Sequence, residues 1–401
     1  MTNSLRKKYF FPILLLGTSI SHTQFAYADL SLFTNNANPP PIRIGLSALF
    51  AAGGASVGEA TISDLQGGGH DPNRNGFTVQ NIELSIGGAV DPFFDGQASI
   101  IYQIDDQGET VIEVEEVYAL SKRLPYGLQL KAGQYFTEFG RLNNQHPHTW
   151  AFSDQPIILT RLFGGDGIRS QGVRLAWLSP LPWYSEFYAG IQNARSETTT
   201  SFISSARTEN TDVNNIERSI NGPEDFLYSA RWLNGFDVND SISTNLGASA
   251  LWGPNSTGDT NKTSIYGIDF YAKWQAEVSQ AGFPFITWHT EYLTGNYDVS
   301  NASNKSSWKD NGWFSQLSYG YRKGWIAGLR LEQVSSNSDD ATDPNRDSRN
   351  RTALNLTWLP TEYSKLRLQY NADHPEHLSE TAHSIWLQFE FNLGSHAAHT
   401  F

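Results

Sequence analysis

Histidine is the residue type in this chain best placed to do chemistry. Of the ten present, His146 and His148 flank Pro147, and His374 and His377 bracket Glu376. His383 follows shortly after, and His396 and His399 lie in the final residues. Imidazole is a common ligand for zinc, copper and nickel, and short histidine-rich tracts can bind them. In an extended chain, positions two apart share a face, so His146 and His148 could offer both rings to one ion, although Pro147 breaks regular pairing between them. The candidate metal ligands are therefore His146, His148, His374 and His377, with solvated loop imidazoles as the competing reading. No H-E-x-x-H or cysteine-based zinc spacing occurs, and the chain has no cysteine.

Carboxylates form the second chemically dense run, Glu113-Val114-Glu115-Glu116. Glu113 and Glu115 share one face of a strand, which suits acid–base work but equally suits a polar lining. Glu116 falls on the opposite, apolar parity, so either a bulge shifts the register there or the residue sits near a rim. His383 and Ser384 are neighbours in one strand and point to opposite faces, so no serine–histidine pair is assembled. Asp339, Asp340, Asp343 and Asp347 read as a solvated or cation-bridged loop. Gly67-Gly68-Gly69 precedes no predicted helix, which argues against a phosphate-cradling loop. The chain is read as a non-enzyme, with no cofactor other than a divalent metal at the histidines.

The elements that must position these groups are strands. Period-2 alternation of apolar and polar residues marks segments at 42–57, 76–90, 93–104, 111–122, 127–136, 166–178, 183–194, 225–234, 240–252, 264–277, 284–297, 310–322, 324–334, 350–358, 364–373 and 381–393. In the last of these Ile385, Leu387, Phe389, Phe391 and Leu393 form one face, opposite Ser384, Gln388, Glu390 and Asn392. The connections alternate too. Short ones such as Ser179 to Pro182, Asn234 to Val238 and Val278 to Phe283 take turns with long polar ones such as 58–75, 137–165 and 195–224. Short turns on one rim and long loops on the other predict an all-β chain: a transmembrane antiparallel β-barrel of about 16 strands. Its third extracellular loop, Thr137 to Gly165, is far longer than the usual ~4–6 residues. It also carries Trp150, Phe152, Ile157, Ile158, Leu159, Leu162 and Phe163, too apolar for a solvated loop. It is predicted to fold inward and constrict the lumen, with Arg141, His146, His148, Asp154 and Arg161 at the narrow point.

Composition and the first residues agree. Arg6, Lys7 and Lys8, the apolar run Phe10 to Ile20, and Ala26-Tyr27-Ala28 read as a cleaved signal peptide over 1–28. A periplasmic lead-in over 29–41 and a barrel over 42–401 follow. The full chain has a formal net charge of −13, which disfavours a nucleic-acid partner. Twelve Trp, 17 Tyr and 23 Phe fit aromatic girdles. The expected surroundings are outer-membrane lipid and lipopolysaccharide. Outer-membrane barrels commonly end in an aromatic residue read by the barrel-assembly machinery, a role expected here of the C-terminal strand and Phe401.

The run Lys131-AGQYFTEFG-Arg141, followed by Gly165-DG and Gly172-VRL, resembles the phosphate-selective porin O/P family. The Gly67-GGHDPNRNG-Phe77 loop, Gln145-HP-His148 and the Gly-x-His-x-x-His-x-Phe ending resemble more closely a group of uncharacterised proteobacterial outer-membrane proteins labelled zinc-regulated or receptor-like. The resemblance implies a 16-stranded barrel, a homotrimer and an inward-folded third loop. A receptor would need a plug domain, for which 29–41 leaves no room. Phosphate selectivity would need arginine and lysine ladders. The wall positions assigned to the lumen are instead mixed: Lys131, Arg174, Arg231, Lys273, Arg322, Arg330, Lys365 and Arg367 against Glu83, Asp95, Glu113, Glu115, Glu186, Asp269, Glu291, Glu332 and Glu390. The expectation is a porin-like channel for passive diffusion of small charged solutes. The alternatives are metal-ion or substrate uptake through the loop histidines, and a non-conducting structural barrel.

Overall fold

In the computed structural model, residues 25–26, 42–104, 108–204, 213–301, 305–337, 348–394 and 396–397 are described. The segments expected to be signal peptide and lead-in lie outside these residues apart from Phe25–Ala26. So do the aspartates from Asp339 to Asp347, His399 and Phe401.

Sixteen antiparallel strands close into a barrel. They are β1 (Arg43–Ala55), β2 (Gly76–Ala89), β3 (Phe94–Ile104), β4 (Thr110–Ser121), β5 (Leu128–Phe136), β6 (Arg169–Leu178), β7 (Tyr184–Asn193) and β8 (Phe226–Asn239). The second half is β9 (Ile242–Pro254), β10 (Lys262–Gln280), β11 (Phe283–Ser300), β12 (Lys305–Arg322), β13 (Trp325–Ser336), β14 (Arg349–Thr361), β15 (Ser364–Pro375) and β16 (Ala382–Gly394). Each pairs with its neighbours in sequence, and β16 returns to β1 with Leu387 opposite Ala52. Closure leaves no edge strand, and where the β4–β5 ladder is short, covering Val117–Leu120 against Lys131–Gln134, the Gln134 side chain donates to the Glu115 carbonyl at 3.3 Å.

Each predicted segment corresponds to one of these strands, and most of the later ones run longer than their alternation suggested. Asn234 to Val238 is not the turn it resembles. Gly235 and Phe236 pair with Asn245 and Thr244, and β8 continues to Asn239. Alternation fades there because the strand is leaving the apolar band, whereas the ladder continues. Likewise β10 runs to Gln280, and the reversal is made by Ala281 and Gly282, with φ 52° and 83°. Two successive positive φ values are what a tight hairpin with right-handed strand twist requires.

The structure also decides which face is inside. On β16, Leu387 is 49% and Phe389 41% exposed, while Gln388 and Glu390 are 2% and 0%. Tyr266 and Ile268 of β10 face outward, and Asp269 faces inward. A water-soluble sandwich would be arranged the other way round. Outward aromatics continue the pattern, with Trp177, Phe187 and Trp232 stacked across β6, β7 and β8 at 5.8 and 5.5 Å between ring centres. Leu387→Arg should therefore destabilise the folded barrel by about 2–4 kcal/mol. Reversible urea unfolding in lipid vesicles reads this directly, and a midpoint equal to wild type would mean that this face does not meet lipid.

Candidate functional site

The long segment between β5 and β6 is bonded to the inner wall along its length. Gly140 N–H donates to Ser249 on β9 at 3.1 Å, and the N–H groups of Arg141 and Leu142 donate to Glu291 on β11 at 2.8 and 2.9 Å. Ser153 N–H reaches Gln369 on β15 and Ile157 N–H reaches Glu332 on β13, at 2.8 and 2.7 Å. A short helix, α1 (Ile157–Phe163), is formed within it. Pro156 precedes the helix with a φ already suited to it, and Gly164 ends it at φ 80°.

The apolar residues of this segment explain why it stays. Phe139, Leu142, Trp150, Ile158, Leu162 and Phe163 share one buried cluster with Leu227, Leu251, Ile265, Leu293, Phe314 and Val334 of β8 to β13. Those wall residues sit at inward positions, where polar groups stand elsewhere. Between them the wall is hollowed by glycine. A Cβ on Gly267 would lie 2.7 Å from the Phe139 ring, one on Gly295 2.6 Å from Leu162, and one on Gly312 2.8 Å from Ile158. This platform breaks the polar lumen face that strand alternation predicts. The signal was present as one apolar residue per strand at lumen parity.

The five loop residues assigned to the constriction separate into different environments. Asp154 is fully buried, 2.6 Å from Arg330 on β13 and 3.4 Å from Arg351 on β14, and it accepts from Gln369 and Asn371. Burial alone would raise its carboxyl, but the two guanidinium groups hold it down at about 2. Arg161 on α1 stands 3.9 Å from Asp310. Arg141 lies over the Tyr271 ring at 3.7 Å and, with His148, His289, Lys365 and Arg367, borders a cavity of about 100 Å³.

His146 and His148 meet the carboxylates of β2 and β4. His146 Nδ1 is 3.2 Å from Glu83 and 2.8 Å from Glu115, and its Nε2 is 3.2 Å from Glu116. His148 Nδ1 is 3.1 Å from Glu83. Burial opposes a charge on His146, yet Glu83 and Glu115 push its pKa well above the usual histidine range. The parity problem at Glu116 is resolved by a bulge. The β3 ladder passes from Ser99–Glu116 to Ile100–Val114, so Glu115 and Glu116 both point inward. A second bulge on β2, between the pairings of Asn81 and Val79, turns both Gln80 and Asn81 inward. His70, in the loop after β1, was not among the candidates. It joins the group with Nε2 at 4.0 Å from Glu115 and 3.8 Å from Asp166. His374 and His377 are exposed at the long-loop rim, where His374 bonds Thr381, and are not brought to this cluster.

Of the assigned wall residues, Glu83, Glu115, Arg174, Arg231, Asp269 and Arg330 are buried inward. Arg231 grips Asp269 with two bonds of 2.7 and 2.9 Å. Lys131 and Arg174 converge on Glu138 at 3.3 and 3.1 Å; burial again opposes its charge, but these cations hold Glu138 at about 2. Glu113 pairs with Arg169. Lys273 lies over the Phe285 ring at 5.9 Å, and Asp95 pairs with Lys122 at 2.8 Å on the short-turn side.

No protein-family model matches the chain. An uncharacterized protein of Aquifex aeolicus is 30% identical over 358 residues, covering 83% of this chain and 73% of that one. Among solved structures, the outer-membrane channel DcaP of Acinetobacter baumannii superposes with a TM-score of 0.57 at 11% identity, over 90% of this chain and 99% of that one. The anion-selective porin of Comamonas acidovorans gives 0.52 at 9%, over 88% and 100%. The outer-membrane protein OmpT of Vibrio cholerae, in its trimer form, gives 0.54 at 8%, over 89% and 100%. At such identities these likenesses show a porin-type barrel fold.

The Asp154 contact sets a pH expectation. Because its folded pKa is depressed, its contribution is fully present above the ordinary aspartate value of about 4 and is lost as pH falls toward about 2. Asp154→Ala should cost about 3–5 kcal/mol at neutral pH by leaving Arg330 and Arg351 short of a buried partner. The thermal midpoint, read from heat-modified mobility on gels, should then fall with acid in wild type and converge on the variant. Parallel curves at every pH would remove Asp154 as the tie.

Proposed function

The chain belongs to one family with the uncharacterized Aquifex aeolicus protein, and from the barrel this sequence builds we infer an outer-membrane, porin-type channel for passive diffusion of small charged solutes. The observation that carries this reading is the segment 137–165, whose backbone is bonded to inward side chains of β9, β11, β13 and β15. A loop so held narrows the lumen permanently rather than covering its mouth. Selection then follows from pore radius and local field.

Mixed charge supports solute selection by size and field over an anion ladder. Arg231 is engaged by Asp269, Arg330 by Asp154 and Glu332, and Lys365 by Glu390. These cations are unavailable as a free basic track, so the phosphate-selective mechanism finds no support in the wall. Polar groups that keep contact with solvent inside the barrel include Asn144 and Gln145 of the loop and Glu113 of β4. Assembly as a homotrimer belongs to the same reading, and the cross-linked species of the detergent-solubilised protein would report it.

Purified protein in a planar bilayer should give stepwise conductance, and deleting Asn143 to Asp154 should enlarge each step. An unchanged step size would place the loop outside the conducting path. A folded barrel that stays silent in both forms would overturn the channel reading altogether.

A further inference from the structure

The group formed by β2, β4 and the loop is more than a set of ion pairs. Glu83, Glu115 and His146 each offer one ligand atom, and all of these lie within 4.8 Å of one another. His146 Nδ1 and Glu115 Oε2 form a buried ion pair 2.8 Å apart whose atoms lie off ideal hydrogen-bond geometry. Two atoms so close but off the hydrogen-bond line are placed as adjacent ligands of one ion, which sit roughly 3 Å apart when each is about 2.0–2.2 Å from the metal.

The surrounding contacts prepare the imidazole for that role. Glu116 accepts from Phe136 N–H at 3.1 Å with one oxygen and faces His146 Nε2 at 3.2 Å with the other. With its Nε2 proton held by a carboxylate, the imidazole can take an ion on Nδ1 in exchange for the proton there, which is the carboxylate–histidine–metal arrangement. His70 is fixed in the same sense. Its Nδ1 donates to the Gln80 carbonyl at 3.1 Å, leaving Nε2 directed toward Glu115 and Asp166.

Charge balance points the same way. Glu83, Glu113, Glu115, Glu116 and Asp166 crowd this corner of the lumen against one guanidinium, that of Arg169, and the imidazoles of His70, His146 and His148. Buried anions need compensation, and removal of a buried partner is costly. Asp166 is 30% and Glu113 28% exposed, so the corner opens to lumen water and an ion can reach it.

We propose that Glu83, Glu115 and His146 bind one divalent transition-metal ion of the zinc type, with Glu116 as the positioning carboxylate behind His146. Nitrogen and carboxylate oxygen without thiolate suits zinc and its first-row neighbours. The bound ion joins the loop to β2 and β4, on the side of the barrel away from its apolar anchorage. The proposal does not depend on whether the barrel conducts.

The test uses untagged, full-length, detergent-folded protein, stripped with EDTA and titrated with zinc sulfate, with bound metal counted after gel filtration. Wild type should retain one zinc per chain, and cobalt in its place should give visible absorption characteristic of nitrogen and oxygen ligands. Glu116→Gln should weaken zinc binding about 10–100-fold. Glu115→Gln and His146→Asn should weaken it at least as much, and His377→Asn should leave it unchanged. Wild-type protein with no zinc above a metal-free control barrel would overturn the proposal, and this arm needs no variant to fold. Full binding retained in heat-modifiable Glu115→Gln and His146→Asn would overturn it as well, by placing the metal elsewhere.

Discussion

In a closed sheet, the side on which a residue emerges is settled by parity, and everything else in this barrel depends on that constraint. Successive residues of a strand face opposite sides, and closure from β16 to β1 removes any edge at which the pattern could be relaxed. Leu387 and Phe389 therefore meet the surroundings while Gln388 and Glu390 meet the lumen. Only a bulge can change the assignment within a strand. The bulges on β2 and β4 do so where the loop histidines arrive, giving Gln80 with Asn81 and Glu115 with Glu116 as inward pairs.

Two kinds of force hold the loop, and they do different things. Fully burying a side chain such as Phe139, Ile158 or Leu162 is worth about 1.5–3 kcal/mol each, and these residues sit at 0% or 1% exposure. This apolar contact supplies the adhesion. The ionic contacts fix position instead. Arg330, Asp154, Glu332, Arg351, Asp373 and Arg349 form a continuous buried chain across β13, β14 and β15. Desolvating such ions costs several kcal/mol apiece, so a chain of this kind contributes little net stability. It does penalise any shift of the loop, because each displaced partner leaves a buried charge behind.

Strand number and order were legible because period 2 marks every strand, from Ile44 and Leu46 to Phe389 and Phe391, broken on β2 and β4 only at a bulge. The loop was legible as an anomaly, too long and too apolar for its place. Where it docks was not. Leu251, Ile265, Leu293 and Phe314 look like ordinary scatter on a polar face until they are placed on neighbouring strands, where Leu251 faces Ile265 and each of the others lies two residues from the register position of the one before, in one buried cluster. Glu116 illustrates the limit more sharply. Its sequence position contradicts the pattern, and the ladder alone decides between a bulge and a rim. His70 was missed for a different reason. It lies in the first long loop, whose Gly69 N–H donates to the Gly165 carbonyl at 2.8 Å, a contact between segments almost a hundred residues apart.

The loop acts as a beam between two unlike walls. Its apolar side is seated on β8 to β13, and His146 reaches β2 and β4, roughly half the ring away in the closed order of sixteen. Glu83, Glu115 and Glu116 would stand as like charges without the loop's counterions on an undocked wall, which is costly. The docked loop brings the imidazoles and, through Lys131 and Arg174, its own Glu138 is neutralised on β5 and β6. Neither half suffices alone. The glycine-hollowed stripe gives the loop somewhere to bind without fixing its far end, whereas the acidic corner fixes the far end without offering adhesion. The two together determine one path for the chain across the lumen, and the histidines arrive at the carboxylates because Phe139, Ile158 and Leu162 have been seated on the other side.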